Sequence, residues 1–152
     1  MSSWQKKSFG HALGPIAILY RLGFAQDSME FKNVFNFFKY FLIAKQLNDD
    51  AHDWKIDLER GFINPVGKEV LMKSKNKKEY QDVFWNEVIV KIAEVILDNV
   101  QKAKKCLPNV LLIEEPELML AILKKPESSA REVLEEHQKA VEFMGEYKGE
   151  DL

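Results

Sequence analysis

Cysteine, glycine and proline are scarce in this 152-residue chain. It contains one cysteine, Cys106, with seven glycines and five prolines. A single cysteine excludes an intrachain disulfide framework and a zinc site built from several cysteines, and it is typical of a reducing compartment. No apolar run approaches the ~18 residues of a membrane span, and the start, Met1 to Lys7, has no apolar signal core. These absences predict a soluble cytoplasmic protein without a transmembrane segment.

An excess of positive charge is also lacking. The 22 lysines and arginines are balanced by 24 aspartates and glutamates, which gives a formal net charge of −2. A protein that holds nucleic acid or an anionic membrane by its overall field needs a basic surplus. We therefore expect no nucleic-acid partner. The length fits one domain over residues 1–152, because a chain of this size can bury a substantial core.

Apolar residues recur at helical spacing, whereas the alternation typical of strands is missing. This pattern predicts an all-α fold that forms a single helical bundle. The first predicted helix lies within Phe9–Phe24, is entered or kinked at Pro15 and ends near Gly23. A long second helix runs from the Asp27-Ser28 cap to about Leu58 and is ended by Gly61 and Pro65. The remaining predicted segments are a basic loop Lys68–Lys78, a helix Tyr80–Cys106, a short helix Glu114–Lys124, and an acidic helix restarted at Pro126.

The most informative stretch lies within the long helix. At about 100° per residue, and with Asp50 at zero, Gln46 lies at about −40°, Asp49 at about −100°, Asp53 at about −60° and Asp57 at about −20°. Four carboxylates and an amide thus share one sector. Clustered carboxylates suit Mg²⁺, while buried carboxylates without such a partner are costly. The sector predicts a metal site, although acidic residues are also common on solvated helix faces.

The same stretch resembles a known superfamily. Asp49-Asp50-Ala51-His52-Asp53 has the DDxxD form, preceded by Gln46 and followed by Asp57-Leu58, Gly61 and Pro65. This arrangement is similar to the second aspartate-rich motif of trans-polyprenyl diphosphate synthases. In another register, Asp53, Asp57 and Arg60-Gly61 match squalene and phytoene synthases. The chain therefore resembles the C-terminal half of the class I isoprenoid synthase fold, with a motif-bearing part in 1–65 and supporting helices in 80–147.

The resemblance implies a Mg²⁺-dependent site for prenyl diphosphate, used in prenyl transfer or isoprenoid biosynthesis. It implies Asp49 and Asp53 as direct metal ligands, with Asp50 and Asp57 acting through water or orienting the others. The resemblance also implies that Gln46 and Lys7 contact the diphosphate, since Lys7-Ser8 is similar to the family's Lys-Thr pair. The Lys73–Lys78 loop is implied at the diphosphate as well. Around a prenyl cavity it implies Phe35, Phe38 and Phe41, for which plain core packing is the alternative.

The family's first aspartate-rich motif is not found in these 152 residues. The resemblance then implies that a second chain, or another copy of this one, completes the site. Two other functions stay open. His11, His52-Asp53 and Asp98 follow the H…HD…D order of metal-dependent phosphohydrolases, a minor alternative. A non-catalytic helical interaction subunit, using the acidic stripe against a basic partner, is the main alternative.

Overall fold

The computed structural model describes residues 13–110 and 112–149, and this part of the chain is helical almost throughout, without a strand. The expected all-α bundle is thereby confirmed. The helices are α1 (Leu13–Arg21), α2 (Met29–Glu59), α3 (Pro65–Lys73), α4 (Tyr80–Val83), α5 (Ile89–Cys106) and α6 (Pro116–Gly149), with 3₁₀ turns at Lys77–Glu79 and Leu107–Asn109 and a π-helical turn at Phe84–Val88.

Helix α2 is the long helix that the sequence predicts. The Ser28 hydroxyl caps its first turn by accepting a hydrogen bond from the Phe31 N–H at 3.2 Å. The chain leaves α2 through Gly61, whose backbone φ of +82° is one that glycine adopts without a steric penalty. Gly23, at φ +81°, likewise follows the end of α1. Both glycine stops and the Ser28 cap lie where the sequence predicts them.

Helix α3 replaces the first half of the expected basic loop. The prediction of a loop over Lys68–Lys78 is wrong up to Lys73, because these residues form a helix capped by Asn64. Val66 and Val70 lie one turn apart on α3 and are both fully buried. Their burial stabilises the helix despite the lysines beside them, since hydrophobic contacts outweigh the weak repulsion of exposed charges. The basic segment is thus reduced to the short connection after α3.

The predicted helix Tyr80–Cys106 is confirmed as a continuous rod made of α4, the π-helical turn and α5. The π-helical turn places Phe84 in the core, where its ring stacks on Trp54 of α2 with centroids 5.0 Å apart. Turns of this kind are rare and occur often at functional sites. One wall of the rod therefore meets α2 at an aromatic contact.

Helix α6 runs through Pro126 without a break. The prediction of two helices, Glu114–Lys124 and a second one restarted at Pro126, is wrong. Proline in a helix interior removes one hydrogen bond and crowds the preceding turn, but both sides of this position are anchored. Leu123 and Ala130 are almost completely buried against the rest of the bundle, and this packing holds the helix together across the proline.

Helix α5 occupies the centre of the bundle, between α2 and α6. Its buried residues Ile92, Ile96 and Val100 belong to the main core, and a smaller cluster forms where α1 and the start of α2 meet Val110. The Lys104 ammonium also binds the Glu127 carboxylate at 2.6 Å, which ties α5 to α6. Within the described residues, no helix has the length and apolar character needed to cross a membrane.

Candidate functional site

The acidic stripe of α2 spans environments that differ from one aspartate to the next. Asp50 is buried, at 6% exposure, Asp49 and Asp57 are partly buried, and Asp53 is exposed. The helical wheel accounts for Asp50, Asp57 and Asp53, which lie progressively farther from the sector that faces the bundle, whereas Asp49, the farthest of the four, is less exposed than Asp53. The four carboxylates therefore do not share one microenvironment.

Two of the aspartates are held by amide side chains. The Gln46 amide donates a hydrogen bond to Asp50 Oδ1 at 2.7 Å, one turn along α2. The Asn64 amide donates to Asp57 Oδ2 at 2.9 Å and to the Asp50 backbone carbonyl at 3.1 Å. Hydrogen bonds of this kind fix the orientation of a carboxylate. Gln46 and Asn64 thus position the inner half of the stripe.

Asn64 also joins two helices. Its side-chain oxygen accepts the Gly67 N–H at 2.8 Å, which caps α3, while its nitrogen bonds α2. One side chain therefore fixes the angle at which the chain turns from α2 into α3. The sequence carried a signal for this role, since an asparagine directly before Pro65 is typical of a helix N-cap followed by proline at the first helical position.

Asp49 and Asp53 form the outer half of the stripe, on adjacent turns of α2. The Asp49 carboxylate accepts a hydrogen bond from the Lys45 ammonium at 2.6 Å, and 39% of the Asp49 side chain remains exposed. An exposed ion pair of this spacing contributes little stability, so Lys45 is readily displaced. Among the described residues, no group of three or more histidines, cysteines or acidic residues lies close enough to hold a metal ion.

The other residues implied by the resemblance are spread over the molecule. Phe35, Phe38 and Phe41 are partly buried and pack against the hydrophobic clusters. Lys73 forms an ion pair with Glu87 at 2.8 Å, and Lys7 lies outside the described residues. The three phenylalanines thus take part in core packing, and none of them lines the cavity of about 380 Å³ beside Trp54 or the cavity of about 160 Å³ beside Leu47.

The residues of the phosphohydrolase pattern also lie in separate places. His11 is outside the described residues. The Asp98 carboxylate pairs with Lys102 on α5. His52 Nδ1 lies 2.7 Å from the Asn48 backbone carbonyl, and because a carbonyl oxygen only accepts, Nδ1 carries the proton. The described part of this pattern therefore forms local helix contacts.

A cavity that sequence reasoning did not find lies on another side of α2. Its volume is about 380 Å³, and it is lined by residues of α2, the rod Tyr80–Cys106 and α6. The lining includes Asn48, His52, Trp54, Lys55, Phe84 and Trp85. The sequence offers no local signal for it, because its walls come from three segments far apart in the chain. We name it the His52 cavity.

Comparisons of this chain with protein-family models, with curated proteins and with solved structures found no match.

Proposed function

We propose that this protein provides a Mg²⁺-dependent half-site for prenyl diphosphate, which a second chain or another copy completes. The observation that carries the proposal is the division of the acidic stripe. Asp49 and Asp53 offer accessible oxygen donors on adjacent turns, while Gln46 and Asn64 hold Asp50 and Asp57 behind them. This division agrees with the roles that the DDxxD resemblance implies for the four aspartates.

The residues present fit Mg²⁺ when diphosphate accompanies the ion. Magnesium in phosphate-binding sites is usually held by one or two carboxylates, with water and phosphate oxygens as the other ligands. Asp49 and Asp53 supply two such carboxylates. The Lys45 ammonium, now 2.6 Å from Asp49, lies near enough to bind a diphosphate oxygen once it leaves that carboxylate. Two accessible carboxylates are therefore a sufficient protein contribution to such a site.

The half-site assigns separate tasks to this chain and to its partner. When bound, Mg²⁺ supplies charge neutralisation at a departing diphosphate. In this chain, Asp49 and Asp53 bind the ion, and Gln46 and Asn64 keep the neighbouring carboxylates oriented. The facing carboxylates and the closure of the site fall to the partner chain. Prenyl transfer by the assembled pair is accordingly part of the proposal.

The test is titration calorimetry of the whole chain with Mg²⁺ and inorganic diphosphate together, and with each alone. We expect saturable binding that needs both components and is lost in Asp49→Asn/Asp53→Asn. The matched control, Asp82→Asn/Glu94→Gln, removes the same charge from exposed positions elsewhere in the bundle and should bind like the wild type. Equal binding by the two double variants, or no binding by the folded wild type, contradicts the proposal.

A helical interaction subunit is the second candidate, and one observation favours it. Near the C-terminal end of α6, Val141 and Met144 lie three residues apart on one face of the helix and are both more than half exposed. Apolar side chains that share an exposed helix face are typical of a surface that meets another apolar helix. Light scattering separates the candidates: Val141→Lys should dissociate an assembly built on this surface, while leaving diphosphate binding by the acidic stripe unchanged.

A further inference from the structure

The His52 cavity has a buried apolar floor and an exposed polar mouth. Trp54, Phe84 and Ile96 lie in the buried part, while His52 and Lys55 are exposed lining residues. A volume of about 380 Å³ falls within the range of small-molecule sites, which are mostly apolar with a few polar groups that set orientation. On the helical wheel, Lys55 lies about 160° around α2 from Asp53. The cavity is therefore separate from the acidic stripe.

The amide side chain of the buried residue Asn48 is available in this cavity to a polar group of a ligand. Asn48 lines the cavity and is only 4% exposed. Its backbone carbonyl accepts from His52, but within the described part of the chain its side-chain amide makes no hydrogen bond. A ligand that brings a hydroxyl or similar group to this end of the cavity can form a hydrogen bond with that amide.

Aromatic rings from both α2 and the rod line this cavity. Phe84 stacks on Trp54 with centroids 5.0 Å apart and meets Trp85 edge to face at 5.2 Å. Trp85 is half exposed, and it lies on the π-helical turn that begins at Phe84. Three aromatic rings around one cavity favour a planar aromatic guest, because offset and edge-on ring contacts add to the hydrophobic gain.

The charged residues that line the cavity determine the sign of the charge that a bound ligand should carry. Among the described residues that line this cavity, Lys55 is the one lysine or arginine, and none is an aspartate or glutamate. Asn48 and Lys55 are seven residues apart on α2, about two turns or about 10 Å along the helix. A ligand that contacts both thus carries a polar group at one end and a negative charge at the other.

We propose that the His52 cavity binds a small aromatic carboxylate that bears a hydrogen-bonding group at its opposite end. The aromatic body lies against Trp54, Phe84 and Trp85, the carboxylate binds the Lys55 ammonium, and the second polar group bonds the Asn48 amide. This site is additional to the half-site on the acidic stripe and does not depend on it.

The probes are 6-hydroxy-2-naphthoate, 2-naphthoate, which lacks the hydroxyl, and 2-naphthol, which lacks the carboxylate, each titrated into the whole chain by calorimetry. We expect the first to bind most tightly, and each omission to weaken binding about fivefold to tenfold. Equal affinity for the three compounds, or no saturable binding of 6-hydroxy-2-naphthoate by the folded protein, overturns the proposal.

Variants separate the two polar contacts. Lys55→Gln should remove the preference for 6-hydroxy-2-naphthoate over 2-naphthol, whereas Lys32→Gln, an exposed lysine on the same helix outside the cavity, should leave it intact. Asn48→Leu should remove the preference for 6-hydroxy-2-naphthoate over 2-naphthoate while the protein stays as stable as wild type, because an apolar group of similar size replaces a buried amide. If Lys55→Gln and Asn48→Leu keep the wild-type preferences among the probes, Lys55 does not bind the carboxylate and Asn48 does not bind the hydroxyl. Asp49→Asn/Asp53→Asn should bind all three probes like the wild type.

Discussion

Asn64 makes the contact between α2 and α3 whose removal has the most predictable cost. Asn64→Ala removes the cap on Gly67, the bond to the Asp57 carboxylate and the bond to the Asp50 carbonyl. Loss of a helix N-cap costs about 1 kcal/mol, and a partly buried hydrogen bond to a carboxylate adds about 1.5 kcal/mol. We expect Asn64→Ala to lower the free energy of unfolding by about 2–3 kcal/mol.

Urea denaturation followed by circular dichroism measures this cost. With a slope of about 2 kcal/mol per molar urea, the midpoint should fall by about 1–1.5 M. Asn76→Ala is the matched control, since Asn76 caps the exposed turn Lys77–Glu79 and its loss should cost about 0.5 kcal/mol. In an Asp57→Ala background, Asn64→Ala should cost about 1 kcal/mol less than in the wild type. A loss below 0.5 kcal/mol for Asn64→Ala in the wild type would refute the idea that this side chain joins the helices.

Three further predictions concern the bundle. The Lys104 and Arg131 side chains lower the pKa of Glu127 beneath its usual 4.5. The ionised carboxylate therefore stabilises the folded protein above the unfolded-state pKa, and this stability is lost as the pH falls through the folded-state pKa. The difference in urea midpoint between wild type and Glu127→Gln should be constant from pH 7 to about 5 and shrink below about pH 4.5. Leu123→Ala, at a fully buried position, should cost about 2–5 kcal/mol in the same assay, whereas Met144→Ala, which is largely exposed, should change stability by less than about 0.5 kcal/mol. Gly61→Ala should cost about 1 kcal/mol by calorimetric melting, because the added Cβ meets no atom within 4 Å and the positive φ is the whole penalty; a neutral result would show that the turn relaxes freely.

Local chemistry decided which parts of the fold the sequence could predict. Ser28 and Gly61 mark the ends of α2 because a cap and a positive φ depend on a few neighbouring residues. The prediction of a helix break at Pro126 was wrong, because the packing of Leu123 and Ala130 that keeps α6 continuous is a contact between distant segments. The prediction of a loop after Asn64 was wrong for the same reason, since the charge pattern of the lysines does not show the burial of Val66.

In the candidate site, too, the sequence predicts the local arrangement but not the contacts between distant segments. The helical wheel placed Gln46 and the four aspartates in one sector of α2, and the structure finds Asp50 buried and Asp53 exposed within it. The wheel could not show that Asn64 reaches back to Asp57, because that bond closes only when the chain turns into α3. The His52 cavity was beyond prediction altogether, since no single segment carries enough of its wall.

The π-helical turn at Phe84–Val88 takes up one extra residue without changing the faces that the rod presents on either side of it. A π turn contains one residue more than the α-helical turn it replaces. If the same residues formed an ordinary α-helix, the segment before the turn would rotate by about 100° relative to α5. Phe84 would then leave Trp54, and the aromatic part of the His52 cavity would be lost. The backbone form of this one turn, as much as residue identity, therefore determines whether the rod and α2 form a cavity.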